Sequence, residues 1–127
     1  MADYHRFVAY IYEYVNGYGV QGIYDNYYDY KDENGNTIQG IGETETHSGS
    51  KCHVKGVVIG MIGDSFILRD LFKTEKTGLY ATIYCFTAYG SSMASILKVG
   101  LVVEFYCTAT QFNGNIQLSN INVKFSG

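Results

Sequence analysis

Val54-Lys55-Gly56-Val57-Val58-Ile59-Gly60-Met61-Ile62, then Gly63-Asp64, then Ser65-Phe66-Ile67-Leu68-Arg69-Asp70, is the stretch that decides the fold. It reads as two β-strands joined by a tight turn, because β-branched and aromatic residues alternate on either side of a glycine-acid step. Val54, Gly56, Val58 and Gly60 share one face of the first strand. Glycines inside a strand mark a bend or a bulge. A bent first strand can serve both sides of a small closed barrel. On the second strand Phe66, Leu68 and Asp70 alternate inward.

The same grammar continues outward from this hairpin. Gly78 opens a third strand, Leu79 to Phe86, in which Leu79, Ala81, Ile83 and Cys85 share the inner face. Residues 87–98 contain Ser91-Ser92-Met93-Ala94-Ser95-Ile96-Leu97, enough for one or two helical turns. Val99-Gly100 feeds a fourth strand with Val103, Phe105, Cys107 and Ala109 inward. Asn113-Gly114 is a hairpin signal, since both residues accept positive φ. The fifth strand follows with Ile116, Leu118, Ile121, Val123 and Phe125 inward. The step from Leu118 to Ile121 breaks the period of two and predicts a bulge at Ser119-Asn120.

Several of these pieces together resemble the OB-fold, in particular nucleic-acid-binding modules of the anticodon-binding type and those attached to bacterial nucleases. The pieces are Val54-x-Gly56-x-Val58, Asp64 to Asp70, Gly78-Leu79-Tyr80, Leu97-Lys98-Val99-Gly100 with Val103-Glu104-Phe105, and Asn113-Gly114-x-x-Gln117-Leu118-Ser119-Asn120-Ile121. Their order and spacing carry the likeness, which spans residues 52–126. It implies an all-β fold: a five-stranded Greek-key barrel of OB type with a short helix between strands three and four. OB-folds bind oligonucleotides or oligosaccharides across strands two and three. Applied here, that face carries Tyr80, Tyr84, Phe86 and Arg69 as a stacking platform for single-stranded DNA or RNA, with Lys55 and Lys73 as phosphate contacts. Two positions depart from the family pattern. The loop Thr110 to Asn115 has no basic residue, and Leu101 stands where these modules commonly carry an acid. An exposed leucine at that position suggests an interface.

Composition agrees with a folded β domain. The 127 residues include thirteen Tyr, fifteen Gly and no Pro, with 46% hydrophobic and 17% charged residues. Such a chain is not disordered, and it is long enough for one core without metal or disulfide support. Three cysteines cannot all pair within one chain, and Cys85 and Cys107 sit in apolar alternation, which suggests a reducing, cytoplasmic setting. The start, Met1-Ala2-Asp3-Tyr4-His5-Arg6, lacks the apolar core of a secretory signal. No apolar run approaches the roughly 20 residues of a spanning helix, so no membrane partner is expected.

Charge is divided between two parts of the chain. Residues 1–50 hold eight acids against Arg6 and Lys31, a net of −6, whereas residues 51–127 hold seven bases against four acids, a net of +3. This division sets an acidic, Tyr-rich N-terminal extension, residues 1–50, apart from a barrel at 51–127. Residues 3–15 fit either a helix or a strand. Their tyrosines and β-branched residues favour a strand that turns at Asn16-Gly17 and continues from Val20 to Tyr24, giving a hairpin-like extension packed on the barrel. Asn34-Gly35 reads as a further turn, with Thr37 to Ile41 pairing back. Glu43 to Ser50 looks like a linker.

No constellation argues for an enzyme, a cofactor or a metal. Cys52-His53 with His47 and the other cysteines fits no zinc spacing. Asp64 and Asp70 suit turn chemistry, and no nucleophile–base pair joins them. Gly17-Tyr18-Gly19-Val20-Gln21-Gly22 lacks the strand–turn–helix setting of a dinucleotide fingerprint. Two functional expectations remain. One is a non-enzymatic OB-fold protein binding single-stranded nucleic acid. The other is a protein–protein interaction module using Asp25, Tyr27, Tyr28, Asp29, Tyr30 and Leu101, such as an acidic phage-type inhibitor occupying the basic groove of a partner nuclease. Nothing in the sequence assigns an oligomeric state.

Overall fold

The computed structural model describes residues 19–42, 51–75, 77–87 and 93–124. The readings of residues 3–15 as a strand and of Glu43 to Ser50 as a linker lie outside them, as do the side chains of Val123 and Phe125. The elements are α1 (Val20–Asp25), β1 (Tyr30–Lys31), β2 (Thr37–Ile38), β3 (Lys51–Ile62), β4 (Ser65–Arg69), β5 (Thr82–Cys85), α2 (Met93–Ile96), β6 (Val102–Phe112) and β7 (Asn115–Lys124).

Five of the strands close into a barrel in the order β3-β4-β5-β7-β6, with β6 returning to β3. Each neighbouring pair is antiparallel except β5 and β7, which run parallel and meet at Cys85 and Leu118. The Phe86 amide reinforces that seam by donating to the Leu118 carbonyl at 2.8 Å. The chain is thus an all-β barrel, with a short helix between its third and fourth strands.

Alternation fills the interior. Val54, Val58, Phe66, Leu68, Ile83, Cys85, Val103, Phe105, Cys107, Ala109 and Leu118 are all buried. Phe66 and Phe105 meet edge to face, 5.8 Å between ring centres, a favoured aromatic geometry. The Asn113-Gly114 turn has φ of +52° and +81°, the primed geometry that matches strand twist. The bulge expected at Ser119-Asn120 is present: the β6–β7 register shifts between Tyr106 and Thr108, and Asn120 has φ +52°.

Gly60 departs from the sequence reading. Val58 pairs with Leu68, but the next pair is Gly60 with Ile67, so Ile59 is an extra residue in β3. That bulge turns Gly60 from the inner face to the outer one. Gly56 does stay inside, where a Cβ would lie 2.5 Å from the Arg69 carbonyl and 2.8 Å from Leu68. Leu79 also departs. It is 68% exposed in the loop before β5, because β5 begins only at Thr82 and the Gly78 region is folded as a turn on Thr74.

The largest correction concerns residues 20–24, which form helix α1 and not a strand. Val20, Ile23 and Tyr27 fall at helical spacing and join the barrel core. Gly19 at the helix start offers no side-chain cap. The acceptor comes instead from the end of β4. The buried Asp70 carboxylate receives the Val20 amide at 2.9 Å and the Gln21 amide at 3.0 Å. Two helix-terminal donors and one buried charge therefore satisfy each other. Tyr24 donates its hydroxyl to the Thr82 carbonyl at 2.6 Å, and burial raises its pKa above the ordinary tyrosine value.

Residues after α1 wrap around Tyr27. Ile41 and Gly42 donate their amides to the carbonyls of Asn26 and Tyr27 at 2.8 and 3.1 Å, and Gly42 bridges to Ala109 of β6. A Cβ at Gly42 would run into the Tyr27 ring, and one at Gly40 into the Tyr27 carbonyl. Between these points β1 and β2 form an exposed two-stranded ribbon. Its loop is organised by the Asp32 carboxylate, which accepts the Asn34 and Asn36 amides at 2.9 Å each.

Candidate nucleic-acid interface

The outer surface of β3, β4 and β5 is built in rows set by the register. One row is Val57, Arg69 and Thr82; the next is Gly60, Ile67 and Tyr84. Ile62 pairs with Ser65 beyond them. Gly60 brings no side chain to the second row, and a Cβ there would lie 3.8 Å from Ile67. Phe86, two residues past Tyr84, is 47% exposed, and Tyr84 is half-buried.

Arg69 and the loop after β4 form the charged end of this surface. The Arg69 guanidinium carbon lies 4.0 Å from the centre of the Tyr80 ring, and the Lys73 ammonium lies 5.6 Å from the same ring. Arg69 Nε also donates to the Asp70 carbonyl at 3.1 Å, which fixes the side chain against the barrel wall. Among the described residues neither cation is paired with a carboxylate. Tyr80 is thus held flat under a guanidinium while 37% of it stays exposed.

The structure therefore brings Arg69, Lys73 and Tyr80 into one group, with Tyr84 and Phe86 further along β5. Lys55 is not part of it. It belongs to the β3–β6 surface, where its ammonium is 4.0 Å from Glu104 and Glu104 is 2.8 Å from His53. His53 in turn stacks on Tyr106 at 4.6 Å between ring centres.

The alternative set divides as well. Asp25, Tyr28, Asp29 and Tyr30 are exposed. Tyr27 is 1% exposed and cannot meet a partner. Leu101 is half-buried and packs against the core, and its carbonyl receives the Val58 amide at 2.9 Å. The β3–β6 pairing is extended before the start of β6 by these contacts, which draw Leu101 inward.

Some contributors were not visible in the sequence reading. Ile59 and Ile62 are exposed beside the apolar part of the surface, and Phe72 is exposed in the loop after β4. The β3 bulge that turns Gly60 outward also turns Ile62 outward, and a bulge at an isolated glycine does not announce its register. Among the described residues no group of three His, Cys, Asp or Glu can hold a metal, and no helix is long and apolar enough to cross a membrane.

Strand order, parallel β5–β7 closure and the helix before β6 define a closed five-stranded barrel compatible with an OB-like fold. No protein-family model matches the chain, and no curated protein matches it in sequence.

Proposed function

We propose that this chain is a non-enzymatic OB-type module that binds single-stranded nucleic acid on the outer surface of β4 and β5. The observation that carries the reading is the Arg69–Tyr80–Lys73 group, an aromatic ring beneath two cations that have no carboxylate partner among the described residues. Tyr80, Tyr84 and Phe86 offer ring faces to bases, an interaction that tolerates any sequence and contributes about 1–3 kcal/mol per base. Arg69 and Lys73 meet phosphate. The described part of the N-terminal segment supports the reading by its position. It docks through Asp70, Thr82 and Ala109, and Phe86 and Tyr80 stay exposed.

Fluorescence anisotropy of the full chain with labelled oligo-dT and oligo-U, at about 50 mM and about 200 mM salt, tests it. Saturable binding that weakens with salt is expected. Absence of binding at micromolar protein in the lower salt would refute the proposal.

A second reading is favoured by one observation. Tyr28 and Tyr30 are exposed among Asp25, Asp29 and Glu33, although their neighbour Tyr27 is buried. Exposed tyrosines beside acids suit a basic protein surface, because tyrosine supplies contact area at low entropic cost. Under that reading the chain binds no oligonucleotide, and Tyr28→Ala with Tyr30→Ala abolishes capture of a basic protein partner.

A further inference from the structure

Cys52 and Cys107 stand directly opposite each other on β3 and β6. Their sulfurs are 3.5 Å apart, inside the barrel, and both are free thiols. Neither takes part in the binding surface. A disulfide places its sulfurs about 2.05 Å apart, so the strand ladder already holds this pair within about 1.5 Å of bonding distance. The third thiol, Cys85, points at its own strand, toward the Ile83 carbonyl at 3.8 Å.

We infer that Cys52 and Cys107 form a dithiol site that hydrogen peroxide oxidises to a cross-strand disulfide, tying β3 to β6 where the N-terminal segment enters the barrel. Cys52 is the attacking sulfur. The two sulfurs share a hydrogen bond in which either can donate, and the Cys107 thiol also reaches the Cys52 carbonyl at 3.7 Å. The shared bond lowers the Cys52 pKa, whereas the same bond, with burial, raises that of Cys107. Cys52 is also the second residue of β3, whereas Cys107 lies in the middle of β6.

In the first step a Cys52 thiolate attacks one peroxide oxygen. An S–O bond forms, the O–O bond breaks, and the departing hydroxide is protonated to water. The product is a sulfenic acid at Cys52. The Cys107 sulfur then attacks the Cys52 sulfur. An S–S bond forms, the S–O bond breaks, and the leaving hydroxide takes the Cys107 proton as a second water. Two thiols and one peroxide thus give one disulfide and two waters, with two electrons passing from sulfur to oxygen.

The test exposes the full reduced chain to hydrogen peroxide, removes the excess with catalase, and titrates thiols after denaturation. The three thiols of the chain are expected to fall to one, with Cys85 remaining. Peptide mapping should show one Cys52–Cys107 link, lighter by two hydrogens, in a monomer that dithiothreitol restores. In Cys107→Ser, dimedone should label Cys52; in Cys52→Ser, it should label nothing. Retention of three thiols, a link through Cys85, or a link between two chains would overturn the inference. The wild-type count decides this even where a variant does not fold.

Discussion

The two outer surfaces of the barrel are made of the same kinds of residue and treat them in opposite ways. On β3 and β6, His53 stacks on Tyr106, bonds Glu104 at 2.8 Å, and shares that acid with Lys55. Aromatic, cation and anion satisfy one another. On β4 and β5, Arg69 and Lys73 share the Tyr80 ring, neither is ion-paired among the described residues, and Phe86 is open. The difference is ion pairing: Glu104 holds His53 and Lys55, whereas among the described residues no carboxylate pairs with Arg69 or Lys73. A surface that satisfies its own charges stabilises the fold, and one that leaves a cation pair over an exposed ring keeps that capacity for a ligand.

Three variants bear on this contrast. The largest effect is expected from Tyr80→Ala with Phe86→Ala. Two lost stacking contacts at about 1–3 kcal/mol each should weaken oligonucleotide binding by about 30-fold or more. Urea stability should change by no more than about 0.5 kcal/mol for Phe86→Ala alone, as at other exposed positions. An equal loss of stability and affinity would erase the distinction between the two surfaces.

Next is Tyr106→Ala on the opposite surface. Removal of the ring stacked on His53 should cost about 0.5–1.5 kcal/mol of stability in urea unfolding. Oligonucleotide affinity should stay within about twofold, since the site is on the other side of the barrel. A clear loss of affinity would move the ligand to β3 and β6.

The smallest effect is a change of slope. Arg69→Gln removes one phosphate contact, so the logarithm of affinity against the logarithm of salt should flatten by about 0.7. Affinity measured from 50 to 300 mM salt reads this directly. An unchanged slope would leave Arg69 as a support for Tyr80 alone.

Much of the barrel was legible because its signals are local. Alternation in Val103 to Ala109, the Asn113-Gly114 turn and the broken period at Ser119-Asn120 each act within a few residues, and the structure contains all three. What escaped depended on partners far along the chain. Val20 to Tyr24 is β-rich in composition, and it is helical because Asp70 supplies two acceptors and the barrel end receives Val20 and Ile23. Tyr27 looked like one of several surface tyrosines until Gly40 and Gly42 closed around it. Lys55 and Lys73 are equivalent in sequence terms, as two candidate phosphate contacts. Only the position of Glu104 across the sheet separates them.

The Asp70–α1 contact also orders events during synthesis. A helix of six residues is too short to persist alone, and its amide acceptor lies 50 residues downstream. At about 5–20 residues per second, translation delivers Asp70 about 2.5–10 s after Val20. The β7 strand that closes the barrel comes later still. The Val20–Asp25 segment is made before the residues that receive it, so a nascent chain carries Val20 and Ile23 without their barrel contacts until its C-terminal half arrives.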